Sequence, residues 1–276
     1  MNPIPIMLNG LPGNVAAIIA GHLISDDRFH MIPFSLTGPD ITAPSQKIGA
    51  TDIALVRPED RDNVIAELKA KQGPFITIDY TVPAAVNDNA RFYRDNGLPF
   101  VMGTTGGDRD LLVETVRSSN ISAVIAPNMA KQIVGLQAMM AYAAEQFPGL
   151  FSGYHLDIVE SHQQGKIDTS GTAKAMVGYF NKLGIPFSED RIKKIRDPET
   201  QKNRLGVPEA YLGGHGWHTY SLESADKTAK FSFTHNINGR DIYAEGTADA
   251  VVFLAKKIAQ GQNGKVYSMI DVLKGE

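Results

Sequence analysis

Ile4-Pro5-Ile6-Met7-Leu8-Asn9-Gly10-Leu11-Pro12-Gly13-Asn14-Val15-Ala16-Ala17-Ile18-Ile19-Ala20 reads as a short buried strand, a glycine turn and the opening of an apolar helix. That order is the entry to a nucleotide-binding βαβ unit. The spacing Gly10-x-x-Gly13-x-x-Ala16 assigns each small residue a task. Gly10 makes the tight turn, Gly13 lets backbone approach a pyrophosphate, and Ala16 lets the helix pack closely on the strand.

Working outward, strand-like runs at residues 30–36, 52–56, 75–80, 100–102 and 122–126 alternate with helical stretches near 61–71 and 86–93. Such alternation predicts a parallel sheet with helices on its faces, whose ligand sits outside the carboxyl ends of the strands. The run 30–36 ends on Ser35 and Thr37, with no carboxylate before Asp40 and no adjacent arginine. A missing carboxylate removes the repulsion against a ribose phosphate, so NADPH is favoured and NADH remains possible. The run 75–80 ends Asp79-Tyr80-Thr81, a further strand end expected to bind cofactor, followed by Pro83 at a helix start.

After Pro148-Gly149 the texture changes. A helix is expected over 133–147, and residues 154–160 alternate like a strand with one buried face. Residues 220–222, 229–236 and 241–245 read as antiparallel strands, with a hairpin at Asn238-Gly239. This half is therefore expected to be an α+β domain with an open mixed sheet, of the kind that pairs with another subunit. A helix over 246–259 and a tail over 264–273 are expected to return to the first half. The domains are then 1–129, completed by 240–276, and 130–239. Lys193, Lys194 and Arg196 read as a solvated face.

One stretch in the second half concentrates chemistry: Glu160-Ser161-His162-Gln163-Gln164-Gly165-Lys166-Ile167-Asp168-Thr169-Ser170-Gly171-Thr172-Ala173. A helix opening at Ser170-Gly171-Thr172 offers backbone N–H groups and a positive dipole end. With the Lys166 ammonium this favours an anion of carboxylate or phosphate size. His162 is the nearby group able to exchange a proton near neutral pH.

Composition bounds the rest. The chain has 276 residues, 43% of them hydrophobic, a net charge of −3 and no cysteine. Disulfides, thiolate metal sites and cysteine nucleophiles are excluded together. Lys and Arg form no basic stripe for nucleic acid, and the apolar runs fall short of a membrane span. Histidines are scattered away from clustered carboxylates, so no metal site is expected. The start of the chain leaves no room for a leader peptide before the first strand, which leads to the expectation of a soluble interior protein.

Gly10-x-x-Gly13, Gly103-Thr104-Thr105-Gly106 and the Glu160 to Ala173 stretch, with Gly216-Trp217-His218 and Tyr267-Ser268-Met269-x-Asp271-Val272-Leu273, together resemble the 4-hydroxy-tetrahydrodipicolinate reductase family. The resemblance covers nearly the whole chain. It implies an N-terminal Rossmann domain, a C-terminal domain for substrate and homotetramer assembly, and NAD(P)H-dependent reduction of a cyclic imine dicarboxylate in lysine and diaminopimelate biosynthesis. It implies His162 as proton donor/acceptor and Lys166 as second proton donor. Gly171 and Thr172, with Ser170 beside them, match the groups holding a substrate carboxylate. The segment Gly10, Leu11, Pro12, Gly13, Asn14, Val15 matches a cofactor-binding strand end, as do Gly103, Thr104, Thr105 and Ala126, Pro127, Asn128, Met129. Two departures point to the plant-like branch: Gln163 replaces a second histidine that contacts substrate, and no proline precedes Ser170-Gly171-Thr172. The compartment implied is a cytoplasm or, for a mature chain, a plastid stroma. Rival readings are another two-domain amino-acid dehydrogenase, or an NADPH-binding sensor without catalysis.

Overall fold

A computed structural model describes residues 2–276, which fall into two compact units: the chain up to Lys131 together with Asp241–Glu276, and Gln132–Arg240. The first unit begins with β1 (Ile4–Asn9), α1 (Asn14–Ile24), β2 (Phe29–Met31), β3 (Phe34–Leu36), β4 (Ser45–Ile48), β5 (Thr51–Val56), α2 (Arg61–Gln72), β6 (Ile76–Asp79), α3 (Val86–Asp95), β7 (Phe100–Met102), α4 (Arg109–Arg117) and β8 (Ala123–Ile125). The second contains nearly all of α5 (Lys131–Gln146), then β9 (Tyr154–His162), α6 (Gly171–Lys182), β10 (Lys193–Ile195), α7 (Pro198–Thr200), β11 (His215–Ser224) and β12 (Lys230–Asn238). The chain then adds α8 (Ile242–Ala259), β13 (Val266–Tyr267) and α9 (Met269–Lys274) to the first unit.

Six parallel strands in the order β13-β8-β7-β6-β1-β2 form the first unit's main sheet. A parallel sheet covered on both faces needs apolar side chains on both sides of its strands. Phe100, Val101 and Met102 of β7 are all buried, as are Ile76, Thr77, Ile78 and Asp79 of β6. Met7, Val86, Tyr93, Phe100, Leu112 and Val116 belong to one core cluster.

The expected strand over 30–36 is broken. Pro33 cannot donate to a ladder. β2 therefore stays beside β1, while β3 leaves for a separate three-stranded sheet, β3-β5-β4. The strand expected at 52–56 joins this side sheet and not the main one, and polar β4 (Ser-Gln-Lys-Ile) escaped an apolar reading altogether.

The second unit's sheet runs β10-β9-β11-β12, with β10 parallel to β9 and the other neighbours antiparallel. It is an open mixed sheet. Its inner face packs Leu156, Ile158, Tyr220 and Leu222 against Met176, Val177 and Phe180 of α6. Two expectations fail here. The β11–β12 hairpin turns near Asp226 and Lys227, where Asp226 accepts from Ser224 Oγ and from the backbone N–H and hydroxyl of Thr228. Asn238-Gly239 instead ends β12, since a positive φ (73° at Gly239) stops a ladder as well as it reverses one. Residues 241–245 are the opening of α8, not a strand. Among the described residues no helix is long and apolar enough to cross a membrane.

Gly246 fixes how α8 lies on the main sheet: a Cβ there would stand 1.9 Å from the carbonyl oxygen of Met129. Overpacking a closed contact costs about 1–3 kcal/mol. Gly246→Ala is expected to lower unfolding stability by about that amount in urea denaturation; an unchanged midpoint would mean that α8 shifts without cost.

Candidate active site

The carboxyl ends of β1, β6, β7 and β8 lie side by side and place Gly10, Thr81, Gly103–Thr105 and Ala126–Met129 along one edge of the sheet. Gly10 has φ of +109°, and a Cβ on it would meet the Tyr80 carbonyl oxygen at 2.2 Å. A Cβ at Gly13 would lie 2.8 Å from the Gly10 carbonyl oxygen, and one at Gly103 would enter the Tyr80 ring. Gly13 is the N-cap of α1, which has no side-chain cap and no acidic residue in its first turn. A helix start left this way accepts a pyrophosphate. These residues fit a dinucleotide, with Asn14 and Val15 offering backbone N–H groups; Leu11 is buried, and its N–H and carbonyl are taken up by Ser35 and Thr37.

Two expected cofactor contacts do other work. Ser35 is fully buried and its hydroxyl accepts from the Leu11 N–H at 3.2 Å, so it holds the glycine turn instead of meeting a ribose. Asp79 is also sealed from solvent: it accepts from Thr81 N and Oγ1, Thr104 Oγ1, Asn89 Nδ2 and Tyr93 Oη. Its carboxylate binds the ends of β6 and β7 and the helix α3 into one floor. Thr37 donates to the Leu11 carbonyl at 2.7 Å and remains at the surface of the turn. Tyr80 bonds Thr247 of α8, Asn128 accepts from Ala130 N, Met129 is buried, and Thr105 and Pro127 are exposed. The sequence offered no arginine next to Thr37, but β5 supplies one. Leu36 pairs with Val56 in parallel register, and Thr37 N donates to the Val56 carbonyl, bringing Arg57 to the same strand end.

In the second unit, His162 is the last residue of β9. Its Nδ1 lies 2.9 Å from the His215 carbonyl oxygen, which can only accept, so Nδ1 carries the proton. Nε2 is then a bare acceptor, buried and without a protein partner. The ring lies over Gly216, where a Cβ would come within 3.1 Å of it. Burial lowers the His162 pKa to about 4, with Arg196 and Lys166 adding to the effect and Glu160 opposing it. His162 is neutral at pH 7.

The loop after His162 is anchored by a buried ion pair. Glu160 is fully buried; one carboxylate oxygen takes Arg196 Nη2 and the other accepts from Ser170 N at 3.0 Å. Arg196 also donates to the carbonyls of Lys166 (2.7 Å) and Asp168 (3.2 Å). Arg196 is thus not part of a solvated face: β10 carries it beside β9, although Lys193 and Lys194 are exposed as expected. Gln201, buried in a π-helical turn (Gln201–Leu205), donates to the His162 carbonyl at 2.6 Å. Lys166 pairs with exposed Asp168 at 2.8 Å, lowering that carboxyl's pKa through the hydrogen bond. Gln163 is half-buried and accepts from Lys166 N through its carbonyl. Ser170 is the N-cap of α6 with no side-chain cap bond, and no acid occupies the first turn at Gly171 and Thr172. The structure thus ties His162, Lys166 and the α6 N-terminus to one clasp.

Glu160, His162 and His218 bring ligand atoms within 4.8 Å of one another, a grouping hidden in the sequence because His218 arrives through strand pairing. Arg196 already neutralises Glu160, so a divalent cation would meet two neutral imidazoles and a spent carboxylate. Glu160 and His218 stand in the sequence motifs without a role, Arg196 reads there as a solvated face, and Gln201, His215 and His235 are the site residues that sequence reasoning missed.

Comparison with known proteins bears on this geometry. Family models described as dihydrodipicolinate reductase, N-terminus and C-terminus, match residues 4–129 and 133–273. The chain is 45% identical over 270 residues to a protein of Oryza sativa subsp. japonica described as probable 4-hydroxy-tetrahydrodipicolinate reductase 2, chloroplastic, covering 98% of this chain and 83% of that one. It is 46% identical over 273 residues to 4-hydroxy-tetrahydrodipicolinate reductase 1, chloroplastic, of Arabidopsis thaliana, covering 99% and 78%. In fold it matches a dipicolinate-bound dihydrodipicolinate reductase from Paenisporosarcina sp. TG-14, with a TM-score of 0.66 at 16% identity over 96% of this chain and 97% of that one. With both family models matched along its length, the chain belongs to the dihydrodipicolinate reductase family.

Proposed function

We propose that this chain converts 4-hydroxy-tetrahydrodipicolinate to tetrahydrodipicolinate in lysine and diaminopimelate biosynthesis: the hydroxyl leaves as water, and the conjugated cyclic imine that remains takes a hydride from a reduced nicotinamide and a proton. The observation that carries the reading is a buried, unpartnered His162 Nε2 on the same clasped segment as Lys166 and an uncapped helix start. A diacid needs cation and N–H donors for its carboxylates, and Lys166, Ser170, Gly171 and Thr172 are placed to supply them. Gln163 takes the place of a cationic contact with an amide. The reduced nicotinamide, when bound, supplies hydride. His162 supplies the proton from Nε2, and Lys166 is the second donor.

The electrostatics give this proposal a sign. His162 is neutral in the free protein because burial depresses its pKa to about 4. Two carboxylates arriving nearby favour the imidazolium, which raises that pKa. Substrate binding therefore draws a proton from solvent onto the acid that will deliver it.

NADPH is proposed as the preferred cofactor, with NADH also used. No carboxylate ends β3, and Arg57 stands at the neighbouring strand end, where its present partner is Glu59 at 2.9 Å. A homotetramer built through the second unit is proposed from its open sheet and exposed edge strand β12. The plant relatives are described as chloroplastic, and a plastid stroma or a cytoplasm is proposed for this chain.

NADPH absorbance at fixed enzyme and freshly prepared substrate should fall with time, and His162→Gln should slow that turnover by about 10²–10⁴-fold while leaving NADPH affinity unchanged. Equal losses in both would count against the acid role. Calorimetry of dipicolinate binding at pH 7 in buffers of different ionisation enthalpy should register uptake of roughly one proton in the wild type and none in His162→Gln, as the raised pKa requires. Arg57→Ala should weaken NADPH binding by about tenfold, one charge-assisted hydrogen bond's worth, with NADH affinity unmoved; parallel losses for both would place the ribose phosphate elsewhere.

A further inference from the structure

His218 of β11 is opposite Glu160 of β9 on one side and His235 of β12 on the other, so the three form one row across the inner face of the sheet. The neighbouring row, Ile158, Tyr220 and Phe233, contributes to the apolar core. His218 is 3% exposed. Its ring centroid is 5.1 Å from that of His162 and 4.6 Å from that of His235. Both ring nitrogens of His218 and both of His235 are buried without a hydrogen-bond partner, as is Nε2 of His162.

His215 shows what a structural histidine looks like in the same sheet. Its Nδ1 donates to the Tyr211 carbonyl at 3.1 Å and its Nε2 accepts from Ser161 Oγ at 2.8 Å, which locks one tautomer. A buried polar atom without a partner costs about 1–3 kcal/mol, and valine or isoleucine in the row would avoid that cost. Imidazoles left open at both nitrogens have one property an apolar residue lacks: each can take a proton on one nitrogen while releasing one from the other.

We propose that His235 and His218 form a proton relay across the sheet, from its edge strand β12 to Nε2 of His162. The relay rests on the reduction proposed above, in which each turnover consumes one proton along with the hydride. A proton arriving at one nitrogen of His235 releases the proton on the other to His218. His218 in turn releases its own to Nε2 of His162, the atom emptied when substrate is protonated. No net charge remains on the row afterwards. The groups facing it set its bias. Glu160 Oε2, 3.8 Å from His218 Nε2, steadies a passing imidazolium, while Arg196 and Lys166 oppose a resident one. Tyr220, stacked parallel on His218 at 6.3 Å, keeps its own proton because burial raises its pKa. Burial likewise lowers the pKa values of His218 and His235, keeping both neutral and ready to pass a proton on.

His218→Ala and His235→Ala test the relay. Each should lower kcat by about tenfold or more with KM for NADPH unchanged, raise the solvent deuterium isotope effect on kcat, and recover turnover when imidazole is added. Wild-type isotope effects with wild-type kcat, or slow variants that imidazole does not rescue, would overturn it. A measurement without substrate guards against variants that misfold. In nitrogen-15 spectra of the wild-type protein, His218 and His235 should show ring signals averaged between tautomers beside a locked His215. Single locked tautomers at both would also overturn the relay. Wild-type protein that fails to oxidise NADPH with the diacid would count against the reaction itself, and the nitrogen spectra would still decide whether protons move along the row.

Discussion

A carboxylate with no solvent exposure organises the second unit. Glu160 is neutralised by Arg196, and between them the two side chains bind the backbone of Lys166, Asp168 and Ser170. Breaking a buried pair by removing one partner costs about 3–5 kcal/mol, because the other charge is left uncompensated. The loop is held through three of its main-chain groups by one ion pair, so Lys166 and the start of α6 are placed together. That coupling lets a segment with little regular structure present a defined anion site.

The same pair sets the charge state of its surroundings. Glu160 raises the pKa of His162 and lies 3.8 Å from His218 Nε2, while Arg196 lowers the pKa of both imidazoles. The imidazoles therefore feel desolvation most strongly, and desolvation favours the neutral ring. In the proposed reaction, an acid that is neutral until a dianion arrives does not repel the hydrogen-bond donors around it and needs no permanent counterion in the core. Its proton must then be drawn from solvent.

How much of this was readable beforehand follows from distance along the chain. β1 and the glycine turn were readable because a parallel strand, its turn and its helix are contiguous. That His162, Lys166 and Ser170-Gly171-Thr172 share one segment was readable for the same reason. The break at Pro33 hid β3 in a side sheet, and with it the approach of Arg57 to Thr37. Arg196, His215, His218 and His235 reach Glu160 and His162 only through strand register. A period of two says which face a residue occupies and nothing about its cross-strand partner. Asp79 and Ser35 were placed at the right strand ends, yet the sequence could not reveal that neighbouring donors would close over both.

The helix starts show one device used twice. α4 and α9 are capped by Asp108 and Ser268, and α2, α3 and α8 carry Asp62, Asp88 and Glu245 in their first turns. Each of those groups offsets the positive end of a helix dipole from within the protein. α1 and α6 have neither a side-chain cap nor a first-turn acid. α5 also lacks a first-turn acid, but it opens on Lys131, whose ammonium is taken up by Asp249 and Glu245. Among the described helices, those shown with neither a side-chain cap bond nor a first-turn acid are the one after the Gly10 turn and the one after the Glu160 clasp. The same physical argument that assigns a pyrophosphate to the first assigns a carboxylate to the second, and the two differ in what stands beside them. Beside α1 stand close-packed glycines and the buried hydroxyl of Ser35, which suit a ligand held by backbone. Beside α6 the clasp adds a lysine and a histidine, which suit a ligand that must also be protonated.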